Sequence, residues 1–355
     1  MQITKQEAYN ILTQDFQEKQ SRNHIITYTK NIFIPITHIC QNNCGYCTFK
    51  ETPEETEKLL MTKQEIEKQI QIAQKHNITE ALFTFGESSD KNPLIKEVLK
   101  QENYNSMSDY VYTLSENILK NTNILPHTNM GIITKKELKK LKEVNASMGL
   151  MLETTNKKLL KTITHKNSPG KRPSKRIRLI KQAGKLKIPF TTGLLIGIGE
   201  STDDHIDSLY KIREIQDKYH HIQEIIIQNF KPKKGTPMEN YPEPKQETMI
   251  RLVHLAKILF PDISIQIPPN LNSNQTNKFI QAGADDLGGI STITKDYVNP
   301  NEEWPNIINI KNELGSIGYE LKERLPVYKK FRKSEYLSEI VYDKCIKLNK
   351  KKEYL

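Results

Sequence analysis

Cysteine is scarce in this chain: four thiols in 355 residues are too few to staple a fold of this size, which excludes a disulfide scaffold. Long apolar runs are missing as well. The least polar stretch, residues 188–198, spans only eleven positions, against the roughly 20 that a membrane-spanning helix needs. Mean hydropathy is −0.63. Residues 1–16 mix charges with scattered apolar side chains and lack the apolar centre of a secretory signal. No low-complexity linker divides the chain. The expectation is a soluble, cytoplasmic protein without membrane contact, long enough for one large core or two ordinary ones.

Acidic residues are absent from 157–187, where twelve Lys or Arg stand together. Removing those twelve from the 53 basic residues leaves 41 against 42 acidic ones, so the net charge of +11 is local. It reads either as a solvated helix face or as an anion-attracting wall beside a binding site. A general nucleic-acid surface is the weakest reading, because the rest of the chain is near neutral.

What the chain does contain is alternation. Short apolar runs recur at 32–37, 81–85, 122–125, 147–152, 190–196, 222–229, 263–267 and 284–290, most of them β-branched or aromatic, as buried strands are. Helical patterns lie between them. Thr62 with Glu65, and Thr134 with Glu137, have the spacing of capping boxes. Residues 174–184, with Gly184 as a stop, and 203–215 read as further helices. Eight strand–helix repeats predict an α/β fold, a closed (β/α)8 TIM-type barrel whose chemistry sits after the C-terminal ends of its strands. The division expected is a lead-in over 1–30, the barrel over 31–298 and a helical extension over 299–355.

Three of the four cysteines crowd into His38-Ile-Cys40-Gln-Asn-Asn-Cys44-Gly-Tyr-Cys47, directly after the first strand. Three thiolates can hold an iron–sulfur cubane and leave one iron open to a small molecule. With His38 as a fourth ligand, the same loop could instead form a closed Cys3His zinc site. Phe85-Gly86-Glu87 ends the second run with a carboxylate, the 147–153 run ends at Glu153, and Gly193-Leu-Leu-Ile-Gly197-Ile-Gly199-Glu200 lacks the Lys-Ser/Thr of a phosphate loop.

These segments resemble the radical S-adenosylmethionine (SAM) enzymes, whose hallmark is this C-x3-C-x-aromatic-C loop. The resemblance implies a 4Fe-4S cluster on Cys40, Cys44 and Cys47, with SAM chelated at the open iron and cleaved to a 5′-deoxyadenosyl radical. It further implies Tyr46 against the adenine, Gly86 and Glu87 at the SAM amino group, Glu153 at the ribose and Gly197 along the base. Arg176 would take the SAM carboxylate, with Arg178 and Lys171 as rivals. Phe85 stands where the family has a further glycine.

Further segments, among them Leu125-Pro-His-Thr-Asn-Met-Gly131, Ile267-Pro-Pro-Asn-Leu271 and Ala282-Gly-Ala-Asp-Asp-Leu-Gly-Gly-Ile-Ser291, resemble the CofG family of deazaflavin-forming enzymes. That likeness implies CofH as a functional partner, a one-electron reductant and, as substrate, the adduct CofH makes from tyrosine and a ribitylated diaminouracil. Polar residues at strand ends suit this substrate, with Gln228, Asn229 and Asn270 for binding a uracil edge, and His127, Asp285 and Asp286 for proton movement. Other readings are a CofH-type or menaquinone-pathway cyclase, a tRNA-modifying radical enzyme and a non-enzymatic iron–sulfur or zinc protein.

Overall fold

The computed structural model describes residues 3–14, 24–273 and 275–352. Eight parallel strands close on themselves: β1 (Ile25–Ile34), β2 (Glu80–Thr84), β3 (Leu125–Asn129), β4 (Ser147–Gly149), β5 (Phe190–Ile196), β6 (Ile222–Asn229), β7 (Ser264–Gln266) and β8 (Asp286–Ile290). Each pairs with the next, and β1 pairs with both β8 and β2, so the sheet has no open edge within the ring. The predicted (β/α)8 barrel is the fold.

Capping chemistry sets the helix starts. Thr62 and Thr134 accept the N–H of Glu65 and Glu137, whose carboxylates return to the Thr62 and Thr134 N–H groups, opening helices Lys63–Lys75 and Lys135–Lys142. Helix Thr202–Tyr219 is opened the same way by Ser201 and Asp204. Gly184 does not stop its helix: Pro173–Lys185 runs through it, and the glycine is needed because a Cβ there would lie 2.6 Å from Tyr219. Apolar faces of the helices pack on the outside of the barrel to form the main core.

The two ends of the chain depart from expectation. β1 begins at Ile25, so a lead-in ending at residue 30 would cut through the strand, and the apolar residues after Ile34 belong to the loop that follows. The segment past 299 is not only helical. It contributes β9 (Glu320–Glu323), parallel to the N-terminal half of β1. Leu325, Val327 and Phe331 then pack with Leu119, Leu125, Val144 and Ala146 in a second core across the N-terminal face of the barrel. Cys345 lies fully buried in that core, and burial pushes its thiol up to about 12.

Candidate active site at the mouth of the barrel

The loop after β1 carries Cys40, Cys44 and Cys47 over the C-terminal ends of the strands, three free, half-buried thiols. Main-chain bonds lace this loop to the end of β2: Gly86 N–H donates to Thr37 O at 3.0 Å and Gln41 N–H to Glu87 O at 3.0 Å. The approach is so close that a Cβ on Gly86 would lie 1.9 Å from Ile39 O, which is the physical reason for glycine before Glu87. Cys40 Sγ accepts the N–H groups of Glu87 (3.2 Å) and Asn42 (3.4 Å). Burial nevertheless pushes the Cys40 thiol up to about 11. Burial raises Cys44 too, against the opposing charge of Lys171.

Beside the thiols stands a buried quartet of charges. Glu87 Oε1 accepts from Gln41 Nε2 at 2.8 Å, and Glu87 Oε2 lies 3.3 Å from Arg176 Nη1. Arg176, on helix Pro173–Lys185, also donates to the carbonyls of Met151 and Gly170, and its Nη2 is 3.6 Å from Glu153 Oε1. Lys171 Nζ closes the set at 2.5 Å from Glu153 Oε1. Burial would raise the Glu153 carboxyl, but Lys171 and Arg176 outweigh it and hold the group below its ordinary value. Glu153 adopts φ +65°, uncommon for a non-glycine residue. The basic run is thus divided: Lys171 and Arg176 turn inward, Lys175 and Arg178 line an adjoining cleft, and Lys158, Lys161 and Lys166 face solvent.

An apolar wall completes the mouth. Tyr46 packs with Leu159, Leu195, Ile198, Phe230 and Met238, and its hydroxyl lies 3.1 Å from His165 Nε2. Gly197, at φ +96°, donates its N–H to Glu200 Oε1 at 2.6 Å, while Ile198 N–H reaches Glu200 Oε2 at 2.7 Å. The loop after β5 is therefore fixed by Glu200 from within.

The remaining sequence candidates separate. His127, Gln228 and Asn270 line a chamber inside the barrel. Asn229 does not: its Oδ1 accepts from Asn272 Nδ2 at 3.0 Å and its Nδ2 lies 3.4 Å from Leu271 O, so it braces the loop after β7. Asp285 and Asp286 are misplaced by the strand-end reading, because they stand at the start of β8, on the face opposite the cysteines. Asp285 turns to Lys257 (2.8 Å) and the Ile265 N–H (2.9 Å). Asp286 is held by Arg324, Gly288 N–H and the Thr27 hydroxyl. Neither carboxylate can move protons at the mouth.

Sequence reasoning misses Gly170, Gln41, His165 and the group of Glu80, Glu224 and Arg324 at the base of the chamber. Only inward alternation along the strands could have signalled the last group.

The donor set fits an iron–sulfur cluster better than a single ion. Among the described residues no three His, Cys, Asp or Glu side chains converge on one metal position. His38, the candidate fourth zinc ligand, donates from Nδ1 to Phe49 O at 2.8 Å and stacks on that ring. Three half-buried thiols on one loop, flanked by carboxylates and cations suited to an amino acid, would suit a cluster with SAM beside it.

Comparison with known proteins agrees. The sequence profile of the Radical SAM superfamily matches residues 34–212. The chain is similar to the 7,8-didemethyl-8-hydroxy-5-deazariboflavin synthase of Methanocaldococcus jannaschii, at 50% identity over 99% of this chain and 100% of that one. It is also similar to the synthase of the same name from Methanococcus aeolicus, at 53% identity over 92% of this chain and 90% of the other. Among solved structures, the FeFe-hydrogenase maturase HydG from Carboxydothermus hydrogenoformans shares the fold with a TM-score of 0.73 at 17% identity, over 92% of this chain and 78% of that one.

Proposed function

The chain belongs to the Radical SAM superfamily and to its 7,8-didemethyl-8-hydroxy-5-deazariboflavin (FO) synthases, and we propose that it closes the FO ring system on the tyrosine–diaminouracil adduct made by CofH. It works with a 4Fe-4S cluster and SAM, as its superfamily does. Bound together and reduced by one electron, these supply a carbon radical that removes hydrogen from substrate. The observation that carries the reading is the set of three half-buried thiols beside the Glu87–Arg176–Glu153–Lys171 quartet, at the mouth of a polar chamber.

Each residue has its own part in this scheme. Cys40, Cys44 and Cys47 would hold the cluster through their thiolates, leaving room for SAM beside it. Glu87 would accept from the SAM ammonium, and Arg176 with Lys171 would face its carboxylate. Glu153 accepts from the ribose hydroxyls, while Tyr46 and the flat Gly197 loop cover the adenine. Removal of one hydrogen atom, ring closure, loss of ammonia and removal of one further electron with its proton convert the adduct to FO. The further electron passes to a one-electron carrier. On this balance the enzyme is an ammonia-eliminating lyase.

His127 has a defined tautomer. Ser147 Oγ donates to Pro326 O at 2.8 Å and must therefore accept from His127 Nδ1 at 2.7 Å, which leaves Nε2 as an acceptor. Burial lowers its pKa to about 3, so His127 positions substrate as a neutral acceptor and does not serve as a general base near neutral pH.

The experiment is anaerobic reconstitution followed by assay for 5′-deoxyadenosine and FO. Wild type should bind iron and sulfide and cleave SAM, and it should form FO from tyrosine and 5-amino-6-ribitylaminouracil only when CofH is added. Cys40→Ala, Cys44→Ala and Cys47→Ala should each abolish SAM cleavage. Zinc in place of iron would overturn the scheme, as would FO formation without CofH for the assigned step.

A further inference from the structure

TIM-type barrels are ordinarily filled by layers of branched apolar side chains. This one is hollow and polar. Thr29, Asn31, Glu80, His127, Thr191 and Glu224 face a chamber of about 200 Å³ that descends from Asn270 and Trp304 at the rim to Arg324 and Pro326 at the base. Its upper wall is mixed, with Phe33, Leu150, Met151, Pro268 and Pro269 beside the polar Thr84, Asn129 and Gln228 near the C-terminal ends of the strands.

Besides the Thr29 hydroxyl, two side-chain oxygens in the lower chamber have no hydrogen-bond partner: Asn31 Oδ1 and Glu80 Oε2. Their residues are only 2% and 5% exposed. Asn31 is seated against Gly289, where a Cβ would lie 2.1 Å from its Nδ2. His127 Nε2 adds a nitrogen acceptor, lying beside the chamber-lining Gly149. Buried polar atoms left unpaired are destabilising by about 1–3 kcal/mol each, and native structures keep few of them without a reason.

We infer that the lower chamber receives the polyhydroxylated chain of the substrate, with the flat ring system standing above it at the mouth beside the cysteine loop. The inference rests on the FO-forming reading and adds the direction in which the substrate enters. With Glu80 holding a proton below about pH 7 and Asn31 Oδ1 and His127 Nε2 accepting, the unpaired groups call for partners that both donate and accept. A sugar-alcohol chain presents on each successive carbon a hydroxyl able to do both, whereas a uracil edge would set its carbonyl oxygens against Asn31 Oδ1 and His127 Nε2. Size argues the same way: pockets that bury a whole drug-sized ligand measure about 300–1,000 Å³, so a chamber of about 200 Å³ admits a slender chain and leaves the rings above it.

The test is binding of FO, and of its analogue with methyl in place of the ribityl chain, to reconstituted holoenzyme by deazaflavin fluorescence. Wild type should prefer FO by about tenfold or more, the worth of one or two hydrogen bonds. Glu80→Gln should reduce that preference severalfold by weakening FO alone, with cluster content and affinity for the methyl analogue unchanged. Thr29→Val, a shape-conserving change beside Glu80, gives a second measure should Glu80→Gln fold poorly, and it should move the ratio in the same direction. Equal affinity of wild type for the two compounds would overturn the inference, as would equal losses for both in the variants. If wild type with CofH makes FO while the preference is absent, only this inference falls. If it neither makes FO nor binds it, the functional reading falls as well.

Discussion

A methyl group at Gly170 would lie 1.5 Å from Glu87 Oε1 and 2.9 Å from Asn42 Nδ2. The Glu87 carboxylate is already held on both oxygens, by Gln41 and Arg176, so alanine at 170 must displace it. Gly170→Ala is expected to raise KM for SAM about tenfold or more, the scale of a lost hydrogen bond to a charged group, with iron content unchanged. An unaltered KM would show that Glu87 does not grip SAM. In the sequence, Gly170 sits in Ser-Pro-Gly-Lys and reads as an ordinary turn, because its relation to Glu87 exists only after the barrel closes. Cys40, Cys44, Cys47 and Glu87 are legible because their spacing is local. The Asp285–Asp286 pair is not, since a polar pair beside a strand does not say which face of the barrel it occupies, and in a parallel barrel only one face holds the mouth.

β1 and β3, two of the strands lining the chamber, are hidden in the sequence. Thr27-Tyr-Thr-Lys-Asn31 and Leu125-Pro-His-Thr-Asn129 alternate polar residues inward, so neither shows the apolar run of a buried parallel strand. Hydropathy points instead to neighbouring apolar residues at 32–37 and 122–125. β5 and β6, largely apolar, are legible at their true bounds. At the base, Arg324 follows β9 and spans two strands, with Nε 2.5 Å from Asp286 Oδ2 and Nη2 2.7 Å from both Asp286 Oδ1 and Glu224 Oε1. Arg324→Met leaves two buried carboxylates without their cation and should destabilise the fold by about 3–5 kcal/mol in chemical denaturation. Arg324→Lys should recover little of that, because an ammonium cannot reproduce the bidentate fork. A loss under about 1 kcal/mol would mean that the base is held by apolar packing alone.

Over the whole molecule, the buried polar chamber ties stability to pH. Burial raises Glu80 from 4.5 to about 7, so between those values the folded protein keeps a proton that the unfolded chain has released. The associated stability is fully present below about pH 4.5 and is lost as pH rises through about 7. Compared with Glu80→Gln, wild type should therefore lose on the order of 3 kcal/mol of unfolding free energy between pH 4 and 8. A difference that does not change with pH would refute the assignment. His127 acts in the opposite direction: lowered from 6.5 to about 3, it withdraws stability as pH falls below 6.5. The base that joins these groups arrives late along the chain. A ribosome completes all eight barrel staves before Arg324 and its neighbours emerge, and until then Glu224 and Asp286 wait without their counter-ion. A nascent or clipped product lacking that last stretch would keep the staves but leave the chamber floor without Arg324 and Pro326.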